Sequence, residues 1–511
     1  METPTLTRDQ CYAIYDRGRE ETVDFIQSLL PLINSIPAMQ EQIKSISAMQ
    51  HQIVSLSDKV EKLEARNKEL ESQKNKDSHN SHKPPSSDGF KQVVKNSRVK
   101  SGKSTGGQEG HPGTTLTMVN EAEHIVRHTV TRCANCDKDL QHVSVKKLQR
   151  RQVFDIPELH IEATEHQAEV KECPCCGDTT SAPFPEGIVK VAQYGLNIKT
   201  FANYLNLYQL IPGDRLCQVF EEIFDRTISE GTLHRWFLGL YDNLDETEEI
   251  IKAEIQASPV VHADETGMRC NSHRDWVHVA STEDLTYYAI HPSRGKIAIN
   301  SIGILKGFTG RLIHDCLGAY FSYQCKHSIC NAHILRELKF SHEEEKQIFA
   351  KKMHKLLTRI HNTVCRARDR GSTSISQVTL RAYEKEYDKI LALGFRHNTK
   401  SVGQPHKRGR VTQTKSYNLL QRLRVRREAV LAFMYDFAIP FTNNLAERDL
   451  RMLKVKQKIS GTFRSELGAK IFCRVRGYIS TARKNGFRIF EAIKSAIKGN
   501  PFTPIVHYAE Q

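Results

Sequence analysis

Two acidic residues in the sequence follow apolar runs that are typical of β-strands. Asp264 follows PVVHA (259–263), and Asp315 lies in the apolar stretch GRLIHDCLGAYFSY (310–323), so both strands are expected to end in an acid. If these strands are neighbours, their spacing of about 4.8 Å brings the two carboxylates close enough to share a cation. Hard oxygen ligands suit Mg²⁺ or Mn²⁺. The alternative is that each Asp only forms a turn or caps a helix.

A third carboxylate is expected in FTNNLAERDLRMLKVKQKIS (441–460). On a helix, Glu447 shares one face with three cations at i+4, i+7 and i+11, which are Arg451, Lys454 and Lys458. An acid at the start of a basic stripe suits metal-dependent chemistry on a phosphodiester, with the cations on backbone phosphates. The alternative is a surface helix with one salt bridge. Glu265 stays outside the catalytic set, as a residue that orients a neighbour or caps the turn.

Four cysteines have the spacing of a zinc site. They form two CxxC motifs, Cys133 with Cys136 and Cys173 with Cys176, and two such turns complete a tetrahedral Zn²⁺ site. The strand-like stretch VFDIPELHIEATEHQAEV (153–170) suits the hairpin of a zinc ribbon, so we predict structural zinc in a ribbon-like domain over residues 114–190. Cys175 could replace a neighbour. The alternative is four unrelated buried cysteines.

The N-terminal region has the pattern of a coiled coil. From Ile36 to Leu70 apolar residues alternate at spacings of three and four, with one additional three between Ile46 and Met49, and Asn67 falls at an a-type position. Pro37 disfavours a regular first turn. Residues 1–73 are therefore predicted to pair two or more chains, unless the helix packs on its own protein. Residues 74–113 are polar and rich in Ser, Lys, Gly and Pro, which is typical of a linker.

A helical pattern over residues 191–255 predicts a second DNA-contacting element. RLCQVFEEIF and DRTISEGTLHRWF (215–237) suggest helix, turn and helix, with Ser229 as N-cap. If this is a helix-turn-helix, His234 and Arg235 are the exposed DNA-contacting residues. Two helices joined by a polar turn are also common in proteins that bind no DNA.

Charge and composition narrow the class of protein. The 511 residues are 39% apolar, with no apolar run of about 18 residues and no signal-peptide pattern, so we expect a cytoplasmic protein of roughly three domains. Residues 401–500 hold 22 Lys and Arg against 6 Asp and Glu, which accounts for the whole net charge of +15. A concentrated basic segment indicates a nucleic-acid surface; the alternative is a solvated face.

These motifs resemble one known family. HADETG (262–267), HDCLGAY (314–320), CNAHILREL (330–338) and NNLAERDLRMLKVKQKIS (443–460) closely resemble the insertion-sequence-66 family of bacterial DDE transposases. The zipper-like N-terminus, GGQEGHPG (106–113), the double CxxC and YISTARKNG extend the resemblance over nearly the whole chain.

The resemblance implies a multidomain α/β fold. A ribonuclease-H-like catalytic core would comprise residues 256–340 and 441–511, interrupted by a helical insertion over 341–440. Upstream would lie the coiled coil, the zinc ribbon-like domain and the helix-turn-helix-like domain. Carried over by position, the catalytic residues are Asp264, Asp315 and Glu447, and Lys454 is the family's basic residue seven positions after the Glu.

A further family signature, C-x2-H, is present as Cys330 and His333. We expect a packed Cys and His at the start of a helix rather than a metal site, although nearby His327 leaves a second zinc open.

The implied activity is cleavage and strand transfer of insertion-sequence DNA. Two Mg²⁺ ions on the three carboxylates would activate a water or a DNA 3′-hydroxyl and stabilise the leaving oxygen. The implied partners are double-stranded DNA at element ends and target, a second chain or a higher oligomer, and accessory proteins of the same element. The implied location is the bacterial cytoplasm, in association with the nucleoid. The alternatives are a catalytically silent DNA-binding regulator derived from a transposase, and a metal-dependent nuclease that cleaves without joining.

Overall fold

The structure is a computed structural model that describes residues 6–74, 115–400, 411 and 413–507. The predicted linker, 74–113, lies outside the described residues except for Lys74. The contacts between residues divide the chain into two units. One contains Met1–Phe90 and Phe340–Lys346, and the other contains Lys91–Lys339 and Gln347–Gln511.

The first unit is built on two N-terminal helices, α1 (Arg8–Tyr15) and α2 (Arg19–Lys74). Thr7 caps α1 by accepting the backbone N–H of Gln10. The 56 residues of α2 continue through Pro31 and Pro37, so the expected disturbance at Pro37 does not end the helix. Its apolar residues at spacings of three and four begin earlier than predicted and are all 45–65% exposed: Val23, Ile26, Leu30, Ile33, Ile36, Met39, Ile43, Ile46, Met49, Ile53, Leu56, Val60, Leu63 and Leu70.

The cysteine region, residues 115–194, contains one short hairpin. Strand β1 (Val170–Glu172) pairs antiparallel with β2 (Thr179–Ser181). The prediction of strands over residues 153–169 is not met, because no strand is formed there. Apolar side chains in this stretch remain exposed, such as Val153 at 91%, and a strand without a ladder partner or a packed face has little to stabilise it.

Between the cysteine region and the sheet, residues 195–259 form four helices: α3 (Leu196–Asn203), α4 (Gly213–Phe224), α5 (Glu230–Asn243) and α6 (Asp245–Ala257). A π-helical turn, Tyr204–Tyr208, continues α3. Ser229 caps α5, as predicted, by accepting the backbone N–H of Thr232 at 3.2 Å. None of the helices in the described ranges is long and apolar enough to cross a bilayer.

A five-stranded mixed sheet forms the centre of the second unit. Its strands are β3 (Val260–Cys270), β4 (His273–Ser281), β5 (Thr286–His291), β6 (Arg311–His314) and β7 (Lys326–Ile329), with helix α7 (Lys296–Ile302) between β5 and β6. The strand order is β5-β4-β3-β6-β7. The first three strands are antiparallel, whereas β3, β6 and β7 are parallel.

Strand β3 is longer than the sequence predicted. It was expected to end at Asp264, but it continues to Cys270 because β4 pairs with it up to Cys270 opposite His273. On its other side, pairing with β6 ends at His262 opposite Ile313. Asp264 therefore lies where β3 loses one of its two neighbours. On β6 the expectation holds, since Asp315 directly follows the strand.

Among the residues described after β7, eight helices are formed: α8 (Asn331–Glu343), α9 (Ile348–Asp369), α10 (Gln377–His397), α11 (Lys415–Val425), α12 (Arg427–Tyr435), α13 (Asn444–Ser460), α14 (Glu466–Lys484) and α15 (Ile489–Ile497). Side chains from α9 to α12 pack around Ile313 and Ile329 of the parallel strands. Helices α13 to α15 cover one face of the sheet at Val277 and Val279. Tyr320 and Ile299 cover the opposite face.

Candidate active site

The structure brings Asp264 and Asp315 together at the edge where β3 and β6 separate. The parallel register ends at His262 opposite Ile313, and two further residues along each chain place Asp264 beside Asp315. Carboxylate oxygens of Asp264, Glu265 and Asp315 all lie within 4.8 Å of one another. Adjacent parallel strands therefore create the acid pair that the sequence predicted, and we call this end of the sheet the acid edge.

Electrostatic repulsion is strong at this edge. The pKa of Asp264 is raised well above its ordinary value, first by burial and then by the charges of Glu265 and Asp315, with a smaller effect from Glu447. The backbone N–H of Glu265 donates to Asp264 Oδ1 at 2.9 Å and partly opposes this shift. A bound cation would relieve the repulsion, and the available donors are oxygens, so the residues fit Mg²⁺.

Glu265 has a position that separates it from the other two acids. Its side chain is fully buried, its Oε1 accepts Arg294 Nε at 2.8 Å, and its Oε2 accepts the Tyr320 hydroxyl at 2.7 Å. Burial and Asp315 raise the pKa of Glu265, while Tyr320 and Arg294 lower it. Because both carboxylate oxygens already have donors, Glu265 is better suited to orienting Arg294 than to binding a cation.

Glu447 lies on the first turn of α13 and belongs to a second group of side chains. Its Oε1 is 3.7 Å from Cys330 Sγ and 3.7 Å from His333 Nδ1, and the three ligand atoms lie within 4.8 Å of one another. Burial, followed by the charge of Glu447, raises the pKa of Cys330 to about 12. The thiol therefore remains protonated and can donate to the carboxylate.

Asn443 links the helix of Glu447 to the strand of Asp264. It is buried, its amide donates to the Ala263 carbonyl at 2.9 Å, and its Oδ1 contacts His262 Nδ1 at 2.8 Å. Its backbone N–H donates to Cys330 Sγ at 3.2 Å, and its carbonyl accepts the N–H of Glu447 at 3.2 Å. The sequence alone assigns no role to Asn443, and only its place in the motif NNLAER indicates that the position is special.

The basic stripe on α13 is exposed as predicted. Arg451, Lys454 and Lys458 are exposed, while Leu450 and Leu453 are buried on the opposite face of the helix. The pKa of Lys454 is lowered by burial and by Arg274, and Asp264 opposes this. Lys454 therefore lies within electrostatic range of both Arg274 and Asp264.

Two arginines and a tryptophan beside the acids were missed by sequence reasoning. The guanidinium carbons of Arg274 and Arg294 each lie 4.8 Å from the Trp276 ring centre. Trp276 pairs with Gly267 across β3 and β4, and a Cβ on Gly267 would lie 2.9 Å from Arg274 Nε. Only the strand register brings these residues to the acid edge, and spacing in the sequence does not reveal it.

Part of the C-terminal basic charge is internal. Arg474 pairs with Glu248 at 2.7 Å, Lys484 pairs with Asp449 at 2.9 Å, and Arg476 donates to the Tyr208 carbonyl at 3.2 Å. The expectation that this whole segment forms a surface is therefore wrong for α14, whose cations bind groups of α5, α6 and α13 or the π-helical turn after α3.

The region predicted as a helix-turn-helix contains two consecutive helices, α4 and α5. His234 and Arg235 are exposed, although Arg235 also donates to the Thr232 hydroxyl at 3.2 Å. Residues 213–243 contain six Asp and Glu against three Arg, which is an unfavourable balance for binding phosphates.

The two CxxC motifs form matching turns. Cys133 N–H donates to the Lys138 carbonyl and Asp137 N–H to the Cys133 carbonyl, both at 2.9 Å. Forty residues later, Cys173 makes the same pair of bonds with Asp178 and Gly177, also at 2.9 Å. The bridge from Arg132 to Asp139 likewise corresponds to the pairing of Glu172 with Thr179. We call these two turns the knuckles.

The knuckle thiols have partners within each turn. Backbone N–H groups of Asn135 and Cys136 lower the pKa of Cys133, and those of Cys175 and Cys176 lower that of Cys173. In the described part of the chain, groups of three or more ligand atoms within 4.8 Å occur at two places, and neither includes a knuckle cysteine. Each knuckle is therefore formed, while the two are not joined into one four-thiol cluster.

Comparison with known proteins gives two family matches. Residues 192–471, more than half of the chain, match the family described as "Transposase IS66 family". Residues 29–117 match a family of unknown function, DUF6444. Among curated proteins, none matches the chain.

Proposed function

Because the chain belongs to the IS66 family of transposases, we propose that it cuts the ends of an insertion sequence and joins them to target DNA, using Asp264, Asp315 and Glu447. The observation that carries this proposal is the acid edge. Two strands bring Asp264 and Asp315 within 4.8 Å, and Glu447 raises the pKa of Asp264 from the neighbouring helix.

We propose that Asp264 and Asp315 bind Mg²⁺ or Mn²⁺, with Glu447 completing the ligand set. Divalent ions at such a site activate a water or a 3′-hydroxyl and stabilise the leaving oxygen of the phosphodiester. Arg294 faces Asp315 Oδ2 at 4.0 Å while Glu265 holds it. The guanidinium is therefore placed to contact a phosphate beside the acids. Asn443 keeps Glu447 in position by fixing the start of α13 to β3.

DNA binding is assigned mainly to the outer face of α13. Arg451, Lys454 and Lys458 are exposed on the helix that carries Glu447, and such contacts bind the backbone without reading sequence. His234 and Arg235 remain candidates for contacts at the element ends, although the acidity of α4 and α5 argues for a smaller share of the binding energy.

The core is proposed to be of the ribonuclease-H-like class. Three antiparallel strands, β5-β4-β3, continue into parallel β6 and β7, and the residues described between α8 and α13 are helical or irregular. This arrangement agrees with a catalytic core interrupted by a helical insertion.

The N-terminal part is proposed to supply zinc binding and chain pairing. The repeated knuckles with lowered thiol pKa values suit four-thiolate coordination of Zn²⁺. The apolar residues of α2 from Val23 to Leu70, which we call the α2 seam, are exposed at coiled-coil spacing. This pattern suits a parallel dimer that holds both element ends.

The test is incubation of the protein with Mg²⁺ and a plasmid that carries its own flanking DNA, beside Asp264→Asn. We expect excision and joined products with wild type only. Cleavage without joining would instead indicate a nuclease, DNA binding without cleavage would indicate a regulator, and cleavage by Asp264→Asn would refute the assignment of the acids.

A further inference from the structure

Helix α9 has two sharply different faces. One face is buried against the surrounding helices and includes Met353, Leu357 and Ile360. The opposite face exposes Lys352, Lys355, Arg359, Asn362 and Arg366. Their spacings of three, four, three and four residues place them along one line of the helix. At about 1.5 Å per residue this line is roughly 21 Å long. We call these five residues the α9 stripe.

Few acidic residues balance the positive charges of the α9 stripe. The helix contains six Lys and Arg and a single acid, Asp369, at its last position. Within the described residues, Arg359 pairs with Glu386 on α10, whereas Lys352, Lys355 and Arg366 have no carboxylate partner. Three neighbouring cations are thus free to bind an external anion.

The surface along the α9 stripe is formed by polar and basic side chains of α9 itself. A groove of about 300 Å³ is lined by basic and hydrogen-bonding side chains, among them Lys355, Asn362 and Arg366. On α9, Ile348 is the one large apolar residue that is exposed, and it lies at the first position of the helix. A protein partner would need an apolar centre in its interface. Lys, Arg, Asn and Thr are instead the side chains that contact DNA phosphates.

Helix α9 also contacts the segment that precedes α13, the helix that carries Glu447. The His361 ring stacks on Phe441 at 4.2 Å between ring centres, and Arg368 donates to the Ile439 carbonyl at 3.4 Å. Phe441 lies two residues before Asn443, which fixes the start of α13. A ligand on the α9 stripe would therefore be held at a defined position relative to Glu447.

We propose that the α9 stripe is a second DNA site, which binds the sugar-phosphate backbone of duplex DNA through Lys352, Lys355 and Arg366. This site deepens the proposed function and rests on it, since DNA is the substrate there. It gives the helical insertion a role in holding DNA while the acid edge performs cleavage.

The test compares two triple variants of the full chain without divalent metal. Lys352→Gln, Lys355→Gln and Arg366→Gln remove the α9 stripe, and Arg381→Gln, Lys385→Gln and Lys389→Gln remove the same charge from the exposed face of α10. The α10 cations are a matched control because they alternate with the acids Glu384 and Asp388. Affinity for a random-sequence duplex is measured between about 50 and 200 mM salt.

The slope of log K against log salt is negative, and each lost phosphate contact should reduce its magnitude by about 0.9. We therefore expect the α9 variant to lower it by about 2.7 and the control to leave it near the wild-type value. An unchanged slope for the α9 variant, or an equal loss in both variants, would overturn the proposal. Since binding is measured without cleavage, a wild-type plasmid assay run alongside separates this failure from failure of the proposed activity.

Discussion

The acid edge and the two knuckles are both candidate metal sites, and they are built in different ways. At the acid edge, tertiary contacts hold each side chain, as Arg294 and Tyr320 hold Glu265 and Asn443 holds the helix of Glu447. Each knuckle is formed by its own backbone turn, and its surroundings are largely exposed. The polypeptide alone therefore brings the acids of the first site together, whereas the halves of the second are formed separately, and their union by a metal remains a prediction.

Helix α2 resembles the knuckles in this respect. Its local structure is complete, yet its apolar seam is about half exposed along its whole length. Burying such a seam against a second helix would release apolar area from water. In both regions the local structure is formed, and the proposed zinc ion and second chain would supply the contacts that join it.

Removal of zinc should produce the largest effect. Zinc binding by four cysteines contributes about 10–16 kcal/mol in small zinc domains, so Cys173→Ser should lose about one zinc per chain and leave residues 115–194 sensitive to protease. Metal analysis and limited proteolysis measure both. Cys175→Ser is the matched control. A wild-type protein without zinc would contradict the prediction, as would a protease-resistant Cys173→Ser.

Disruption of the α2 seam should have the second-largest effect, a loss of the free energy of chain pairing. Coiled-coil pairing with a Kd between micromolar and nanomolar is worth about 8–12 kcal/mol. Ile46→Asp with Met49→Asp should therefore lower the molar mass in light scattering, as should deletion of residues 1–73. Ser47→Asp with Gln50→Asp adds the same charge beside the seam and should leave the mass unchanged. An unaltered mass in the first variant would refute pairing through α2.

Loss of a catalytic carboxylate should be the largest effect at the acid edge. Glu447→Gln should slow cleavage at least about 10³-fold, since metal stabilisation of the transition state is worth several kcal/mol. DNA affinity without divalent metal should hardly change. Gel assays of cleavage and binding separate these outcomes, with Glu466→Gln on α14 as control. Cleavage near the wild-type rate would remove Glu447 from the active site.

Asn443→Ala should have an intermediate effect on the Mg²⁺ dependence of cleavage. Residues that position metal ligands typically change metal affinity about 10–100-fold, so the Mg²⁺ concentration for half-maximal cleavage should rise by that factor. Asn444→Ala, at the exposed neighbouring position, is the control. A purely structural role for Asn443 would instead lower the melting temperature while the Mg²⁺ dependence stays constant.

The smallest expected effect is a gain in stability. The folded-state pKa of Asp264 is raised by burial and by neighbouring acids, so its ionised form destabilises the fold above that pKa, and the penalty disappears as the pH falls. Without metal at neutral pH, Asp264→Asn should therefore raise the melting temperature by roughly 2 °C or more. The difference should shrink at acidic pH. Calorimetry showing a lower melting temperature for the variant at neutral pH would contradict this.

The sequence by itself determined the local features of this protein. The CxxC spacing predicted both knuckle turns, which are formed, and their union in one zinc site, which stays a prediction. Heptad spacing predicted the helix of the N-terminus. The Ser229 cap and the exposed face of α13 were also predictable. All of these depend on residues within a few positions of one another, so periodicity and turn chemistry are sufficient.

Tertiary structure alone decided how the acid edge is assembled. The continuation of β3 past Asp264 depends on pairing with β4, the approach of Arg294 to Glu265 spans 29 residues, and the contact of Asn443 with Ala263 spans 180. The same holds for the C-terminal cations, because Arg474 and Lys484 became internal once their acidic partners were packed against them. Local spacing carries no information about such pairs, since long-range packing and strand register place them together.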